Sequence, residues 1–540
     1  MIKSVKLKQI KIRLLGYKGI IKDHGLEYLR EIRTKLVETP ITKKKISNWT
    51  SLSRDSGTTF ELSLQQFFCS FALHDNSKLL HEITKSYQSK KYIRTHIPPA
   101  WQEQLIKKGI PVAIIDCTVR WFFYCFYRLL RNIFVDFTYI LSLTCKKNHP
   151  FLENVDAFFL DISLNNLPKR CADGSASKTI MDWIINNEVI QPGKSQYIYA
   201  HSIDTADYIM GKVQIKYSQP MWMLISGYKK KINFICLWIS EAIHATVNLF
   251  FFKWEFALLL SEQTRALAID FVEDNNLPKA VFIPFFASPY KPLWTYKVEA
   301  RGSKIHLYFP SYSLHPLMNT GTDHWNMKLA TWRSIFVWNS LMSDSLYLQF
   351  SDKLMKLPVV RVVEPIWFSD NPKISAPEYD SNIIAVFPVD QIRPSIYLGL
   401  STTAEWSYRF PDLYTKFGED IIKVLEENGL FAAWKEKRNA VSGWNKKNSS
   451  LFRNKLQKNK RAIFIDANLS PLRLINSCRA SISFPFTSTA VLAQHEGRIA
   501  VYYDPTGWIS SHDPASNGIL TLVGIESLRS WVKKLSLNEL

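Results

Sequence analysis

The feature that most constrains this chain is a regular alternation of short apolar runs and amphipathic segments that begins at Asn382. Asn382–Val389 reads as a strand, Asp412–Asn428 as a helix ended by Gly429, and Leu430–Trp434 as a strand. Ser450–Lys458 reads as a helix and Ala462–Ile465 as a strand, followed by a helix over Pro471–Cys478 that Ser470 caps. Ala480–Phe484, the helix Thr487–Glu496 stopped by Gly497, the strand Ile499–Tyr503 and a closing helix Ile525–Leu535 complete the series. Runs of four to eight apolar residues, separated by helices and short turns, predict a doubly wound parallel sheet.

The texture upstream is different. Four strand-like runs, at 196–200, 279–286, 304–309 and 359–363, are separated in places by helical segments and predict a second α/β domain over residues 151–370. Residues 369–381 are polar, carry two prolines and read as a linker, so the last domain occupies 382–540. Residues 1–150 read as a helical, basic region. Residues 1–50 contain thirteen Lys or Arg against four Asp or Glu, including Lys43, Lys44 and Lys45. A length of 540 residues suits two large domains, and 46% hydrophobic against 21% charged residues excludes a mainly disordered chain.

The formal charge of +21 asks for an anionic partner, whether nucleic acid, lipid headgroup or nucleotide. No nucleic-acid recognition motif is present, so nucleic acid is not expected as a partner. The seven cysteines form no C-x-x-C pair and several lie in apolar stretches, which reads as reduced, buried thiols in a cytosolic protein. No apolar leader is visible between Met1 and Gly16.

Two long apolar stretches, 114–145 and 233–260, invite comparison with membrane spans. In the first, Asp116, Arg120, Arg128 and Arg131 share one helical face with Tyr124 and Tyr127, and Asp136 breaks the pattern in a way that suggests the helix end. In the second, Asn233, Ser240, Glu241, His244, Asn248 and Glu255 share a face. Neither is expected to span. Burial in a core is the plainer account of both. The first, with its arginines, is the better candidate for lying on an anionic membrane surface.

In doubly wound sheets ligands bind beyond the carboxyl ends of strands, and four such ends carry suitable residues. Pro485-Phe-Thr-Ser-Thr489 puts Thr487, Ser488 and Thr489 at a helix amino terminus, whose partial positive charge suits a phosphate. Lys435, Lys437 and Arg438 supply cations after another strand. Asp466 could hold a ribose hydroxyl, and Tyr502, Tyr503 and Asp504 follow a third strand. Each group also has an ordinary account, as a cap, a solvated loop or a turn. Asp390 and Arg393, after the first strand of the domain, could flank the donor.

The segments Ser481-Ile-Ser-Phe-Pro-Phe-Thr-Ser-Thr-Ala490 and Gly497-Arg-Ile-Ala-Val-Tyr-Tyr-Asp-Pro-Thr-Gly507 resemble the bacterial polysaccharide-biosynthesis family named for its Pro-Phe-Thr-Ser motif, and Lys435-Glu-Lys-Arg438 resembles that family's Lys-x-Lys-Arg element. The detailed resemblance spans roughly residues 382–507. More loosely, the layout is similar to the carboxyl half of GT-B glycosyltransferases, nearest in pattern to the CMP-Kdo and CMP-sialic acid transferases. The resemblance implies a GT-B-like α/β fold, with two Rossmann-type domains facing a cleft and a metal-independent glycosyltransferase that uses no cofactor. It implies a nucleotide-sugar donor and a glycan or lipid-linked glycan acceptor, at the inner face of the cytoplasmic membrane. Donor phosphate would then fall to Thr487, Ser488, Thr489, Lys435, Lys437, Arg438 and Arg393, and the nucleotide to Asp466, Pro485, Tyr502 and Asp504.

The catalytic base or nucleophile should come from the other domain. Candidates near its strand ends are His201, Asp204, His315 and Glu364, with His201 and Glu364 carried forward. The Walker, Rossmann Gly-x-Gly-x-x-Gly, H-E-x-x-H and Gly-x-Ser-x-Gly patterns are absent from the sequence. The competing reading is a membrane-associated protein of the same fold that binds nucleotide sugar or glycan without transferring it.

Overall fold

In the computed structural model the described residues are 25–40, 57–69, 91–145, 155–160, 196–200, 208–210, 213–217, 225–285, 290–312, 325–350, 356–365, 374–391, 411–437, 459–507 and 509–539, with isolated helical positions at 79, 82, 83, 86, 452–454 and 456. Helices α1 (Gly25–Glu38), α2 (Gly57–Cys69), α3 (Pro99–Lys107) and α4 (Ile114–Cys145) come first. Strands β1 (Ala157–Phe159), β2 (Gln196–Ala200), β3 (Tyr208–Met210) and β4 (Val213–Tyr217) follow, then helices α5 (Tyr228–Phe250) and α6 (Glu255–Ile269). Strand β5 (Ala280–Pro284), α7 (Leu293–Ala300), β6 (Lys304–Tyr308), β7 (Ser334–Val337), α8 (Ser340–Tyr347) and β8 (Val359–Val362) complete an eight-stranded sheet of order β3-β4-β2-β1-β5-β6-β7-β8. Every pairing in it is parallel except β3 with β4. The strand order reverses between β1 and β5, which is the switch point of this sheet.

The second sheet contains β9 (Asp380–Phe387), β10 (Phe431–Lys435), β11 (Ala462–Ile465), β12 (Cys478–Ser483), β13 (Ile499–Asp504) and β14 (Leu520–Val523), in the order β11-β10-β9-β12-β13-β14 and all parallel. Its helices are α9 (Pro411–Glu427), α10 (Pro471–Ser477), α11 (Ser488–His495) and α12 (Ile525–Ser536). The central strand β9 is an unbroken apolar run because both its faces are covered: Ile384, Ala385 and Val386 are wholly buried. The switch point lies between β9 and β12.

The expected strand–helix alternation is present, with corrections. β14 was not anticipated: it is a four-residue edge strand between two glycines in left-handed backbone, Gly518 and Gly524. β1, β3, β4 and β7 were also unanticipated; all are only three to five residues long, and of them only β4, Val-Gln-Ile-Lys-Tyr, alternates apolar with polar residues. Of the expected helix at 450–458, Phe452–Asn454 and Leu456 are described and helical.

The helical region before residue 150 shares its core with the first sheet. Leu36, Phe67, Trp101, Trp121 and Leu129 belong to the same buried cluster as Val281, Ile283, Trp294 and Leu307. The helix α4 runs through Asp136 rather than ending there. Asp136 is buried and accepts hydrogen bonds from Ser261 Oγ at 2.9 Å and Thr264 Oγ1 at 2.8 Å, so hydroxyls on α6 satisfy a carboxylate that would otherwise break a helix face. Among the described cysteines Cys69, Cys117, Cys125 and Cys478 are buried, as expected, whereas Cys236 on α5 is exposed.

Opposite the helices, four aromatic rings form a ladder across the first sheet. Phe159 stacks on Phe282 at 4.8 Å, Phe282 on His306 at 5.0 Å, and His306 on Phe336 at 5.1 Å. His306 is buried, bonds Ser334 through Nδ1 at 2.9 Å, and has its pKa lowered to about 4 by burial, with Arg361 and Lys304 adding to the effect.

Candidate active site

The segment after β12 is pinned from two sides. Phe484 is buried in the core of the second sheet, where it stacks on Phe417 with centroids 3.8 Å apart. Two residues later Phe486 points into the other core, the cluster that holds Trp294 and Leu307, and meets Tyr502 edge-on at 5.6 Å. Reversing direction so quickly requires an unusual backbone: Phe486 has φ 59, a region that bulky side chains rarely adopt. Buried Pro485 stands between the two rings.

The α11 helix then starts at Ser488, with Thr487 as its cap residue in extended backbone. Thr487 makes no side-chain capping bond; its Oγ1 donates to Phe484 O at 2.8 Å. Thr489 Oγ1 pairs with Ser483 Oγ at 2.8 Å. The hydroxyls of Thr487 and Thr489 brace the turn, and the Thr487 side chain leaves the first backbone N–H groups of the helix uncapped. Ser488 Oγ accepts a hydrogen bond from the backbone N–H of Tyr312 at 2.9 Å. Tyr312 follows β6 in the other sheet, and its hydroxyl donates to Ala515 O at 3.0 Å. Tyr312 was not anticipated as a site residue, because a backbone N–H contact leaves no signal in side-chain identity.

The far end of α11 has its own contact. His495 Nε2 lies 3.8 Å from Glu364 Oε2, just beyond β8. Seven residues of helix span about 10 Å, and β6 to β8, two strand spacings, is also about 10 Å. The two end contacts therefore lay α11 across the carboxyl edge of the first sheet, with its amino end over β6 and directed toward β5 and β1. Thr487 thus stands beside the switch point of its own sheet, while the helix amino end is aimed at the switch point of the other.

Lys435 ends β10, is buried, and donates through Nζ to Ala467 O at 3.0 Å. This fixes a cation at the carboxyl edge of the second sheet. Lys437 is exposed. Asp466 is exposed, and its Oδ1 accepts from Asn468 N at 2.8 Å, closing the turn after β11. Asp390 follows β9 at the same edge.

Two assignments are corrected by the geometry. Tyr502 is wholly buried and its hydroxyl donates to Thr487 O at 3.2 Å, so it supports the turn rather than touching a nucleotide. Asp504 is also wholly buried: Oδ1 accepts from Thr506 N at 2.7 Å and Thr506 Oγ1 at 2.6 Å, and Oδ2 from Ile509 N at 2.9 Å. Its carboxylate organises its own loop. Glu364, carried forward as a catalytic candidate, is exposed and faces His495 at the carboxyl end of α11, about 10 Å along the helix from Ser488. His201, Asp204, His315, Arg393 and Arg438 lie outside the described residues.

The pattern that defines the polysaccharide biosynthesis PFTS motif proteins matches residues 243–532, more than half of the chain. The chain belongs to this family. The match runs from the second half of α5 into α12, so the family takes in β5–β8 as well as the second sheet. No curated protein matches the chain. Among solved structures the chain is similar to a sucrose-phosphate synthase from Thermosynechococcus elongatus, at 8% identity over 71% of this chain and 90% of the other, with a TM-score of 0.38. A UDP-glucosyltransferase from Polygonum tinctorium matches at 8% identity over 72% and 90%, with a TM-score of 0.37. HepE from Anabaena, solved with UDP and glucose, matches at 8% identity over 71% and 89%, with a TM-score of 0.34.

Proposed function

We propose that this PFTS-motif chain is a glycosyltransferase that moves a sugar from a nucleotide-activated donor to a growing polysaccharide or glycolipid. The observation that carries the reading is the amino end of α11, which stands at the switch point of one doubly wound sheet and is directed toward that of the other. A helix amino end presents N–H groups and about half a positive charge. Charge grows on a nucleotide phosphate as the glycosidic bond breaks, and donors fixed in advance stabilise that charge at no reorganisation cost. Lys435, held by Ala467 O, adds a fixed cation on the same sheet edge. Thr487 and Thr489 hold the turn in shape, and Ser488 ties it to the other domain.

The acceptor hydroxyl needs a base, or a nucleophile if the reaction retains configuration. We assign that role to the first sheet, with His201 the first choice because it directly follows Ala200, where β2 ends beside β1. The donor we infer is a CMP-linked ulosonic acid such as Kdo, on the resemblance of the motif region to CMP-Kdo and CMP-sialic acid transferases, with transfer independent of metal.

A thermal-shift panel of CMP, UDP, GDP and TDP tests the donor class. Binding at a hundred times Kd adds about 2.7 kcal/mol to stability, so one nucleotide should raise the melting temperature clearly. A shift with CMP alone supports the finer assignment and a shift with another nucleotide replaces it. If no nucleotide shifts the transition, the glycosyltransferase reading falls.

A further inference from the structure

Helices α4 and α5 pack antiparallel: Phe122 meets Phe250 at 6.5 Å, Tyr139 meets Phe234 at 6.2 Å, and Lys231 Nζ donates to Leu143 O at 2.8 Å. Their inner faces are spent on the core. On α4 the inward stripe includes Trp121, Cys125, Leu129, Asn132 and Asp136, and Asn132 donates to Ala257 O of α6 at 3.0 Å. On α5 it includes Phe234, Trp238, Ala245 and Leu249.

The opposite faces are also apolar, and they are open. On α4 the outward residues Ile115 (82% exposed), Val119, Phe123 (63%), Leu130, Phe134 (68%) and Leu141 recur every four or seven positions and run about 39 Å. On α5 Tyr228, Ile232, Ile239, Ile243 and Phe250 do the same over about 33 Å. The α5–α6 turn adds Phe251 and Phe252, both exposed, with Phe252 at φ 57. A helix in water carries polar residues on its open face, and an apolar patch of this extent marks an interaction site.

Charge decides what covers it. The two helices contain only three carboxylates: Asp116 is paired with Arg120 at 2.8 Å, Asp136 is buried under α6, and Glu241 accepts from Gln263 Nε2 at 2.5 Å. Exposed cations rim the patch instead: with Arg120 matched to Asp116, they are Arg131 on α4, Lys229 at the start of α5 and Lys253 after its end. Apolar stripes bordered by Arg and Lys fit an anionic bilayer interface. By length and composition α5 is the one described helix able to cross a membrane. It nevertheless packs along its length on α4 and α6, and both helices therefore present one side only.

We propose that the paired outer faces of α4 and α5 form a monotopic membrane-docking surface for anionic lipid, with both helices lying in the plane of the interface. The surface is separate from the transfer site, and its test needs no catalysis. The full-length protein is floated with phosphatidylcholine vesicles with and without phosphatidylglycerol. Wild type should float, more strongly with the anionic lipid. The variant Phe123→Gln, Phe134→Gln, Ile243→Gln should lose about 100-fold in vesicle affinity with an unchanged melting temperature. A second measurement needs no variant. Cys236 is exposed one turn beyond Ile232 on the outward stripe, so vesicles should block its reaction with maleimide, read on the peptide that carries it. Failure of wild type to float, equal flotation by the variant, or undiminished labelling of Cys236 on vesicles would each overturn the proposal. A lipid-independent dimer abolished by the same substitutions would also overturn it, and would assign the face to a second copy of the chain.

Discussion

The backbone N–H of Tyr312 and the hydroxyl oxygen of Ser488 lie 2.9 Å apart, although 176 positions separate them in the chain. One loop of the first sheet thereby sets the height of the helix whose amino end is assigned to the donor phosphate.

Replacing Ser488 with alanine removes the acceptor of that N–H. The expected cost is about 1 kcal/mol of stability, readable in denaturant unfolding. Transfer should fall about 100-fold, because a small misplacement of the helix amino end relative to the reacting groups costs that much. Wild-type turnover in the purified variant would remove Ser488 from the site.

Lys435 makes a different prediction. Methionine fills nearly the same volume without the charge, so Lys435→Met should keep the melting temperature within a few degrees and still lower transfer about 100-fold. A large loss of stability with normal turnover would make Lys435 a purely structural contact to Ala467 O.

His306 should make the protein sensitive to acid. Its pKa is lowered to about 4 in the fold, against about 6.5 in an unfolded chain. Above pH 6.5 both states are neutral there and the fold keeps its full stability. Between pH 6.5 and 4 the unfolded chain takes up a proton that the folded chain refuses, and stability falls by about 3 kcal/mol. His306→Phe continues the ring ladder without a titrating group. Its urea midpoint should change less than that of wild type across this window.

Gly418, inside α9, faces Phe452. A Cβ there would stand 2.3 Å from Phe452 Cζ and 3.1 Å from Trp434 Cη2. Alanine gains about 1 kcal/mol in helix propensity, but overpacking costs about 1–3 kcal/mol. The net expectation for Gly418→Ala is destabilisation, checked by calorimetry against an exposed helical control.

Much of the second domain was legible because its strands are covered on both faces and punctuated by glycine: β9, β10, β12 and β13 fall within a few residues of expectation. Asp136 was misread because what keeps it inside a helix, the hydroxyls of Ser261 and Thr264, lies more than 120 positions away. The motif was visible as a capped helix start, but the roles of its residues were not. Tyr502 and Asp504 have the chemistry of ligand contacts, and only the fold shows their polar atoms turned inward. For α4 and α5 the sequence left core burial and an interfacial face side by side, because with apolar residues on both sides periodicity cannot tell which face the core will take.

Phe484 and Phe486 belong to different cores. A fragment starting near residue 374 would keep Phe484 and its sheet, yet strip Phe486, Ala490 and Tyr502 of the part of their buried cluster that the first sheet supplies. The turn at φ 59 would lose what holds it open. The helix end proposed for phosphate is therefore a joint product of both halves of the chain, and on that proposal severing them should erase nucleotide binding even from a carboxyl half that still folds.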